Sequence, residues 1–295
     1  MELIMTLIES SATRLFLPNI VAGLKRALPG LDVPDWLKPG TACDLLLSGI
    51  DPQAAETTAR RLIGGAPVDV LVQPAAGRRK QVLVADLEST IIENEMLDEL
   101  ADFVGLRKRV AEITRRAMNG ELDFPAALAE RVALLKGLPI SVLDQAASRI
   151  RLTRGARVLI ATSRAAGVCT ALVSGGFTVF AEPIAAALGF DRVIANRLDI
   201  ADGLIAGTVA QPIVARDTKR NALLAIAAEM GVQPEATLAV GDGANDLPML
   251  AAAGLGIAFH AKPAVAAAAR WRIEHADLTA LLYAQGYRRD EFVAG

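Results

Sequence analysis

The chain has 295 residues, of which 53% are hydrophobic and 22% are charged. This composition supplies enough apolar side chains for a large buried core, and it excludes an intrinsically disordered protein. The formal net charge at pH 7 is -2, and the densest basic run is Gly77–Lys80. Because so short a run is typical of a solvated linker, we expect no nucleic-acid partner.

The sequence also gives no sign of a membrane or secreted protein. No apolar stretch is long enough and free enough of charge to span a bilayer. The first residues, Met1–Ile4, lack the basic start of a signal peptide. The two cysteines, Cys43 and Cys169, lie far apart in apolar surroundings, which predicts buried free thiols in a reducing compartment. We therefore expect a cytoplasmic protein without a membrane partner.

The first 76 residues predict a small α+β domain. Strands and helices alternate in this segment in the order strand 2–8, helix 12–28, strand Leu45–Leu47, helix 52–64 and strand Val68–Val72. This order resembles a ferredoxin-like or ACT-like module. A linker is predicted from Pro74 to Lys80, so we divide the chain into domains 1–76 and 77–295.

The second domain begins with the apolar strand Val82–Ala85, which runs directly into Asp86. Asp86 would then lie at the carboxyl end of a buried strand, where open α/β sheets bind their ligands. Glu88, Ser89 and Thr90 bring a second carboxylate and two hydroxyls to the same turn. Taken alone, this pattern favours a helix cap, and only the motifs downstream favour a functional site.

A cap and a parallel sheet are predicted after Asp86. Four helices, at 93–103, 106–117, 124–136 and 139–149, predict a helical cap inserted over about residues 92–150. Strands and helices then alternate in the order helix 154–166, strand Val168–Val173, helix 179–188, strands 193–200 and 204–209, a helix from Asp217 to Gly231, strand Thr237–Val240, a helix after the turn 241–246, strand Gly256–Phe259 and helix 276–285. Asp202-Gly203 is a hairpin signal. The alternation predicts an α/β fold with a doubly wound parallel sheet.

Polar residues also end two later strands. Ser174-Gly175-Gly176 joins a hydroxyl to glycine N–H groups, which fits either an anion cradle or a plain tight turn. Asp242 and Asp246 would repel Asp86 unless a cation neutralised them, and such hard oxygen ligands suit Mg²⁺. Lys219 lies near the start of a helix and is the candidate cation, although a surface lysine is the more ordinary interpretation.

Together these residues resemble the four ordered motifs of the haloacid dehalogenase superfamily. The resemblance covers about residues 81–287 and rests on Asp86-Leu87-Glu88-Ser89-Thr90, Ser174, Lys219 and Gly241-Asp242-Gly243-Ala244-Asn245-Asp246. In the cap, Glu95 and the stretches Met118–Phe124 and Arg131–Pro139 are similar to those of the phosphoserine phosphatase family. Membership of that family implies an Mg²⁺-dependent hydrolysis of O-phospho-L-serine in L-serine biosynthesis.

The resemblance also implies a role for each matching residue. Asp86 is the expected nucleophile, which forms an aspartyl-phosphate, and Glu88 is the expected proton carrier. Mg²⁺ is expected on Asp86, the backbone carbonyl of Glu88, Asp242 and Asp246. The expected substrate ligands are Ser174, Gly175, Lys219 and Asn245 for the phosphoryl group, Glu95 and Arg131 for the serine ammonium and carboxylate, and Met118 and Phe124 as a shield over the site.

One residue departs from the family pattern, because Glu88 stands where the family has Asp. A displacement of about 1 Å can cost about 10²-fold in rate, so we expect retained but slower turnover. Two alternatives stay open: a phosphatase or phosphotransferase for a related substrate such as phosphohomoserine, and a regulatory protein without activity that senses an amino acid. ACT-like modules often pair, so a homodimer is a further expectation.

Overall fold

The computed structural model describes residues 2–10, 15–118 and 123–295. Within these ranges, the side chains of five helical residues lie outside the description: Arg115, Ala117, Met118, Phe124 and Arg216. Helices that are both long enough and apolar enough to pass through a bilayer do not occur in the described ranges.

An antiparallel sheet with two helices forms the N-terminal part of the chain. Its elements are β1 (Leu3–Glu9), α1 (Leu17–Ala27), β2 (Asp35–Lys38), β3 (Ala42–Leu47), α2 (Pro52–Ile63) and β4 (Val68–Pro74). The strand order is β2-β3-β1-β4, with antiparallel pairing throughout. The chain order β-α-β-β-α-β is ferredoxin-like, which confirms the predicted fold and adds one strand, β2. The sequence pattern does not predict β2, since its four residues begin and end with a charged side chain.

The two helices cover one face of this sheet. Leu17 and Leu24 of α1 and Ala55 and Ala59 of α2 are buried against strand residues such as Met5. The spacing of these apolar residues places them on one stripe of each helix, so their burial removes that stripe from water.

A six-stranded parallel sheet forms the centre of the rest of the chain. Its strands are β5 (Val82–Ala85), β6 (Cys169–Phe177), β7 (Arg192–Asn196), β10 (Thr237–Gly241), β11 (Leu255–Phe259) and β12 (Trp271–Ile273). The strand order is β12-β11-β10-β5-β6-β7, with parallel pairs throughout. The chain builds outward from β5 on both sides, so β5 and β10 meet where the strand order reverses. Ligands bind at such a point in open α/β sheets.

Four helices lie between β5 and the helix that precedes β6, as predicted for a cap. They are α3 (Met96–Asp102), α4 (Arg107–Met118), α5 (Phe124–Ala133) and α6 (Ser141–Ala147). A two-stranded hairpin, β8 (Leu198–Ala201) and β9 (Leu204–Val209), turns at Asp202-Gly203, as predicted. The predicted strand 193–200 is wrong in one respect, because it divides into β7 and β8, which belong to different sheets.

The hairpin is bonded to the end of the cap. Ile205 N donates to Leu138 O over 2.8 Å, and Gly137 N donates to Ile205 O over 2.9 Å. Ile140 N adds a bond of 3.1 Å to Gly203 O. The segment that leaves α5 is therefore paired with the hairpin along its backbone.

The remaining helices flank the parallel sheet. They are α7 (Ala156–Ala165), α8 (Thr178–Leu188), α9 (Arg216–Glu229), α10 (Leu247–Ala252), α11 (Pro263–Ala268) and α12 (Ala280–Ala284). The sequence analysis predicts neither α11 nor β12, and it makes the last helix longer than α12. Both omitted elements are only three to six residues long, which is too short for a periodic pattern to be recognised.

The edge strand β4 contacts the edge strand β12 of the parallel sheet. Trp271 donates its indole N–H to Val72 O over 2.9 Å. The buried carboxylate of Asp69 accepts hydrogen bonds from the backbone N–H groups of Glu274, His275 and Ala276 over 2.7, 3.2 and 2.9 Å. One side chain on β4 thus satisfies three donors of the turn after β12.

The basic run Gly77–Lys80 is only in part the solvated linker that the sequence suggests, because Gly77 and Arg79 are exposed but Arg78 and Lys80 are not. Arg78 forms an ion pair of 2.6 Å with Asp44. Lys80 is 9% exposed, and its ammonium group donates to Gly77 O and Glu235 O over 2.7 and 2.8 Å. The segment is therefore fixed between the two sheets.

Both cysteines are free, but only Cys43 is buried as predicted, whereas Cys169 is half-buried.

Candidate active site

Asp86 lies directly after β5, at the carboxyl end of the parallel sheet. All four residues of β5 are fully buried, as an apolar strand covered on both faces requires. Asp86 continues the sheet with a backbone bond to Val240 O (3.0 Å), and its Oδ1 accepts from Leu87 N (2.8 Å). The chain then turns sharply at Ser89, whose φ is 54°. The turn leaves the carboxylate of Asp86 at the end of the strand.

Two further carboxylates meet Asp86. Asp242 follows β10, and Asp246 comes one turn later, before α10. One oxygen from each of Asp86, Asp242 and Asp246 can be chosen so that all three lie within 4.8 Å of one another. All three side chains are buried. The structure therefore brings together the three aspartates that the sequence places at strand ends.

Lys219 supplies a buried positive charge to this cluster. Its side chain is 1% exposed, and its Nζ lies 2.7 Å from Asp86 Oδ1 and 2.7 Å from Asp246 Oδ1. The interpretation as a surface lysine is therefore wrong. A second lysine, Lys262, lies further from the cluster. Its Nζ is 3.9 Å from Asp242 Oδ2, and its side chain is half exposed. Three buried carboxylates share one buried ammonium group, so the cluster retains excess negative charge.

The pKa values reflect this excess. Burial raises the pKa of Asp86 to about 8, and Asp246 and Asp242 add to the rise while Lys219 opposes it. Burial likewise raises the pKa of Asp242 to about 6. Burial alone lowers the pKa of Lys219, but the carboxylates of Asp246 and Asp86 outweigh that effect and raise it. A cation bound beside Asp86 and Asp242 would favour their ionised forms and so oppose the effect of burial on their pKa values.

A glycine holds the third aspartate in place. A Cβ on Gly241 would overlap the carboxyl group of Asp246, so only glycine lets that carboxylate pack against β10. Gly243 N donates to Asp246 Oδ2 over 2.9 Å. Asn245 is half-buried beside Gly243. The predicted loop between β10 and α10 is therefore folded around Asp246.

The segment Ser174-Gly175-Gly176, near the carboxyl end of β6, lies beside Glu88. Ser174 is 1% exposed, and its Oγ accepts from Gly176 N over 2.9 Å. A Cβ on Gly176 would stand 2.8 Å from Glu88 Oε1 and 3.1 Å from Ser174 Oγ. Glycine at this position leaves the room that the carboxylate of Glu88 occupies.

Glu88 connects the cluster to the cap. Its Oε1 accepts from Met96 N, the first residue of α3, over 3.1 Å. Burial raises the pKa of Glu88 to about 8, with Glu95 and Asp86 adding to the rise and Arg131 opposing it. At neutral pH this carboxyl group is mostly protonated, which is the state that a general acid needs.

The other predicted residues of the cap are placed as follows. Glu95 is exposed, and its Oε1 accepts from Ser89 Oγ over 2.7 Å. Arg131 is half-buried and donates to Ala127 O and Thr114 Oγ1 over 3.1 and 3.4 Å. Arg131 forms no ion pair with a carboxylate of the described ranges. Glu95 and Arg131 therefore do not pair with each other, and neither charge is neutralised by the other. The side chains of Met118 and Phe124 lie outside the described part of the structure.

Comparison with known proteins identifies the family. Residues 83–251, more than half of the chain, match the haloacid dehalogenase-like hydrolases. The chain belongs to this family. Over 199 residues it is 46% identical to the phosphoserine phosphatase of Streptococcus thermophilus, a match that covers 68% of this chain and 93% of the relative. The resemblance stated from the motifs is confirmed.

Two longer matches extend the comparison. The chain is 46% identical over 229 residues to phosphoserine phosphatase SerB2 of Mycobacterium tuberculosis. This match covers 77% of the chain and 56% of that protein. The chain spans only 56% to 63% of the length of three such relatives. A crystal structure of a hydrolase of the same family from Salmonella enterica superposes with a TM-score of 0.85 at 30% identity, covering 96% of this chain and 97% of the other.

The cluster fits the divalent metal that phosphatases of the haloacid dehalogenase family generally use. Its donors are carboxylate oxygens alone, which hard divalent cations prefer. The buried negative charge of Asp86, Asp242 and Asp246 exceeds the single charge of Lys219, so a divalent ion would balance it. These three aspartates are the side chains that could hold the metal.

The sequence analysis misses a buried residue that supports the segment Ser174-Gly175-Gly176. Asn196 is 1% exposed and donates through Nδ2 to Gly175 O over 2.7 Å. It is the last residue of β7, so it also lies at a carboxyl strand end. The sequence does not reveal that a strand ends at Asn196, because the predicted strand runs on to residue 200.

Proposed function

We propose that the chain is a phosphoserine phosphatase, which hydrolyses O-phospho-L-serine to L-serine and phosphate in L-serine biosynthesis. The observation that carries the proposal is the buried group formed by Asp86, Asp246 and Lys219, with Asp242 beside it and Glu88 reaching from it to the cap. The relatives named phosphoserine phosphatase support the choice of substrate.

We propose that Mg²⁺ binds Asp86, Asp242, Asp246 and the backbone carbonyl of Glu88. When bound, Mg²⁺ supplies positive charge that neutralises phosphoryl oxygens and keeps the carboxylate of Asp86 ionised. Lys219 adds a second positive charge next to the proposed nucleophile, because its Nζ lies 2.7 Å from Asp86 Oδ1. Neutralisation matters because a phosphate monoester dianion repels nucleophiles and hydrolyses extremely slowly unaided.

The chain's own residues then divide the reaction into two steps. The carboxylate of Asp86 attacks phosphorus, and the bond from phosphorus to the serine oxygen breaks as an aspartyl-phosphate forms. Glu88 gives its proton to the leaving serine oxygen. In the second step Glu88 takes a proton from water, which attacks phosphorus and releases phosphate from Asp86. The raised pKa of Glu88 supports both roles.

The remaining site residues bind the two ends of the substrate. Ser174, Gly175, Lys219 and Asn245 would bind the phosphoryl group. Glu95 would bind the ammonium group and Arg131 the carboxylate, for which a guanidinium fork is suited. Met118 and Phe124 would cover the bound amino acid. Glu95 and Arg131 support this assignment in that neither is paired with the other.

We divide the chain into an ACT-like domain over residues 1–76 and a phosphatase domain over residues 77–295, with the cap inserted at about 92–150. The separate sheets and the separate apolar cluster of the first domain support this division.

Free thiols at Cys43 and Cys169 support a cytoplasmic location. A homodimer is proposed on the resemblance to ACT-like modules, and light scattering after gel filtration tests it.

Phosphate release from O-phospho-L-serine, measured with and without Mg²⁺, tests the function. We expect release with Mg²⁺, no release with a chelator, and no release from the Asp86→Asn variant. A panel with O-phospho-D-serine, phosphothreonine and phosphohomoserine tests the substrate. Faster release from phosphohomoserine would support the related phosphatase instead. A folded protein that binds Mg²⁺ but hydrolyses none of these compounds would support the regulatory alternative, for which Glu88 is the motivating residue.

A further inference from the structure

Asn196 occupies a defect in the pairing of β6 with β7. Val173 pairs with Ile194, but the next pair is Phe177 with Asn196. Three residues of β6, Ser174-Gly175-Gly176, therefore stand opposite a single residue of β7. Such a bulge leaves backbone groups without their ladder partners.

The side chain of Asn196 replaces a missing ladder partner. Its Nδ2 donates to Gly175 O over 2.7 Å. A buried carbonyl without a donor is costly, so this bond stabilises the bulged conformation. In that conformation Ser174 Oγ accepts from Gly176 N, and the carboxylate of Glu88 lies against Gly176.

The same amide also holds the segment that leads into α9. Asn196 Oδ1 accepts from Val214 N over 2.7 Å, and Nδ2 makes a longer bond of 3.4 Å to Val214 O. Val214 stands two residues before the start of α9, and Lys219 lies in the first turns of that helix. Anchoring Val214 therefore fixes where α9 begins and where its lysine reaches.

We propose that Asn196 is a positioning residue that sets the distance between the Ser174 turn and Lys219, the two sides of the phosphate site. The inference rests on the proposed function. The hydrogen bonds of its side chain go to the backbone of Gly175 and Val214, so Asn196 acts on the site through these two segments. The amide of Asn196 supplies both the donor for Gly175 O and the acceptor for Val214 N from one position.

Two substitutions test the proposal. Asn196→Ala removes all three bonds. Asn196→Asp keeps the size of the side chain, but an ionised carboxylate cannot donate to Gly175 O. Because a displacement on the order of 1 Å costs about 10²-fold in rate, we expect kcat to fall by about 10²-fold in both variants. Calorimetry should show weaker binding of inorganic phosphate to the Mg²⁺-loaded protein and unchanged binding of Mg²⁺.

Gln73→Leu is the matched control. Gln73 is also a buried amide, 3% exposed, and it donates to Ala284 O over 2.6 Å, away from the site. We expect this variant to lose thermal stability while keeping wild-type kcat and phosphate affinity. An Asn196→Asp variant that folds and binds inorganic phosphate as the wild type does would overturn the proposal. So would an equal loss of phosphate affinity in Gln73→Leu.

The two proposals fail separately. If the wild-type protein releases no phosphate from O-phospho-L-serine, the proposed function is wrong. Binding of inorganic phosphate to the wild type and to both Asn196 variants then still decides whether the residue positions the phosphate site.

Discussion

The carboxylate of Glu88 accepts a hydrogen bond from the backbone N–H of Met96 over 3.1 Å. Met96 is the first residue of α3, the helix with which the cap begins. The proposed proton carrier is therefore bonded to the cap and close enough to Asp86 for that carboxylate to raise its pKa. A Glu side chain has the extra methylene that this reach uses, and Gly176 leaves space for it.

Glu88→Gln separates these two roles of the side chain. The amide oxygen of Gln still accepts from Met96 N, but the amide has no proton to give to a leaving oxygen. We expect kcat for O-phospho-L-serine to fall by about 10²- to 10⁴-fold, the usual contribution of general acid–base catalysis. The melting temperature should stay close to that of the wild type. A Gln variant with wild-type kcat would show that Glu88 is not the proton carrier.

Glu88→Asp is the complementary variant. It restores the residue of the family pattern but shortens the side chain, so the bond to Met96 N is lost. Because the carboxyl group is kept, we expect kcat to change less than in the Gln variant. A large gain in kcat would instead show that the longer side chain is a handicap in this chain.

Lys219→Met removes the buried charge and keeps much of the side-chain volume. Breaking a buried ion pair from one side costs about 3–5 kcal/mol, so we expect the free energy of unfolding to fall by about that amount in metal-free protein at pH 8. The variant should also lose phosphatase activity. Lys25→Met, at an exposed lysine, should change the stability by less than about 0.5 kcal/mol.

The pH dependence of that loss has a definite sign. The pKa of Asp86 is already raised in the folded protein, and removing Lys219 raises it further. A group with a raised folded pKa binds its proton more tightly in the folded state, so its contribution to stability is lost as pH rises. Urea unfolding of the metal-free variant should therefore show a smaller deficit at pH 5 than at pH 8. An equal deficit at both pH values would contradict the assigned cause.

Metal binding should release protons. Burial raises the pKa of Asp86 to about 8 and that of Asp242 to about 6, whereas a metal binds the ionised carboxylates. At pH 7 Asp86 is mostly protonated and Asp242 mostly ionised, so we expect about one proton released for each bound ion. Calorimetry with Mg²⁺ in buffers of different ionisation enthalpy measures this number. The affinity should rise between pH 5.5 and 8.5, and a pH-independent affinity would contradict the prediction.

Asp69→Asn tests the contact between β4 and the turn after β12. The carboxylate of Asp69 accepts from three backbone N–H groups, and an amide has only one acceptor oxygen. Hydrogen bonds to charged groups contribute about 1.5–3 kcal/mol each, and we expect a loss of at least about 1.5 kcal/mol in the free energy of unfolding. Chemical denaturation measures it. The kcat should not change, since Asp69 lies outside the proposed site.

The main residues of the site could be predicted because each directly follows a strand that the sequence pattern reveals. Asp86, Ser174 and Asp242 each follow an apolar run, and parallel strands bring their carboxyl ends to one edge. Lys219 illustrates the limit of that reasoning. A lysine in the first turns of a helix is usually exposed, and only the family motif indicated that this one belongs to the site. Its burial between two carboxylates comes from the structure.

The features that were missed depend on geometry that no residue pattern encodes. Met96 takes part through its backbone N–H, a group that every residue except proline carries. Asn196 fits a pairing defect that arises only when β6 and β7 are laid side by side. The strand β2 is an edge of four residues, and its pairing with β3 depends on the tertiary fold rather than on its own composition.

The backbone bonds between the hairpin and the segment Gly137–Ile140 have a consequence for protein engineering. Substrate range in such enzymes could be redesigned by transplanting a foreign cap between two loop positions. Here the excised piece would leave Ile205 and Gly203 without their partners, so a graft must carry β8 and β9 along with the four helices. The exchangeable unit is discontinuous in the gene.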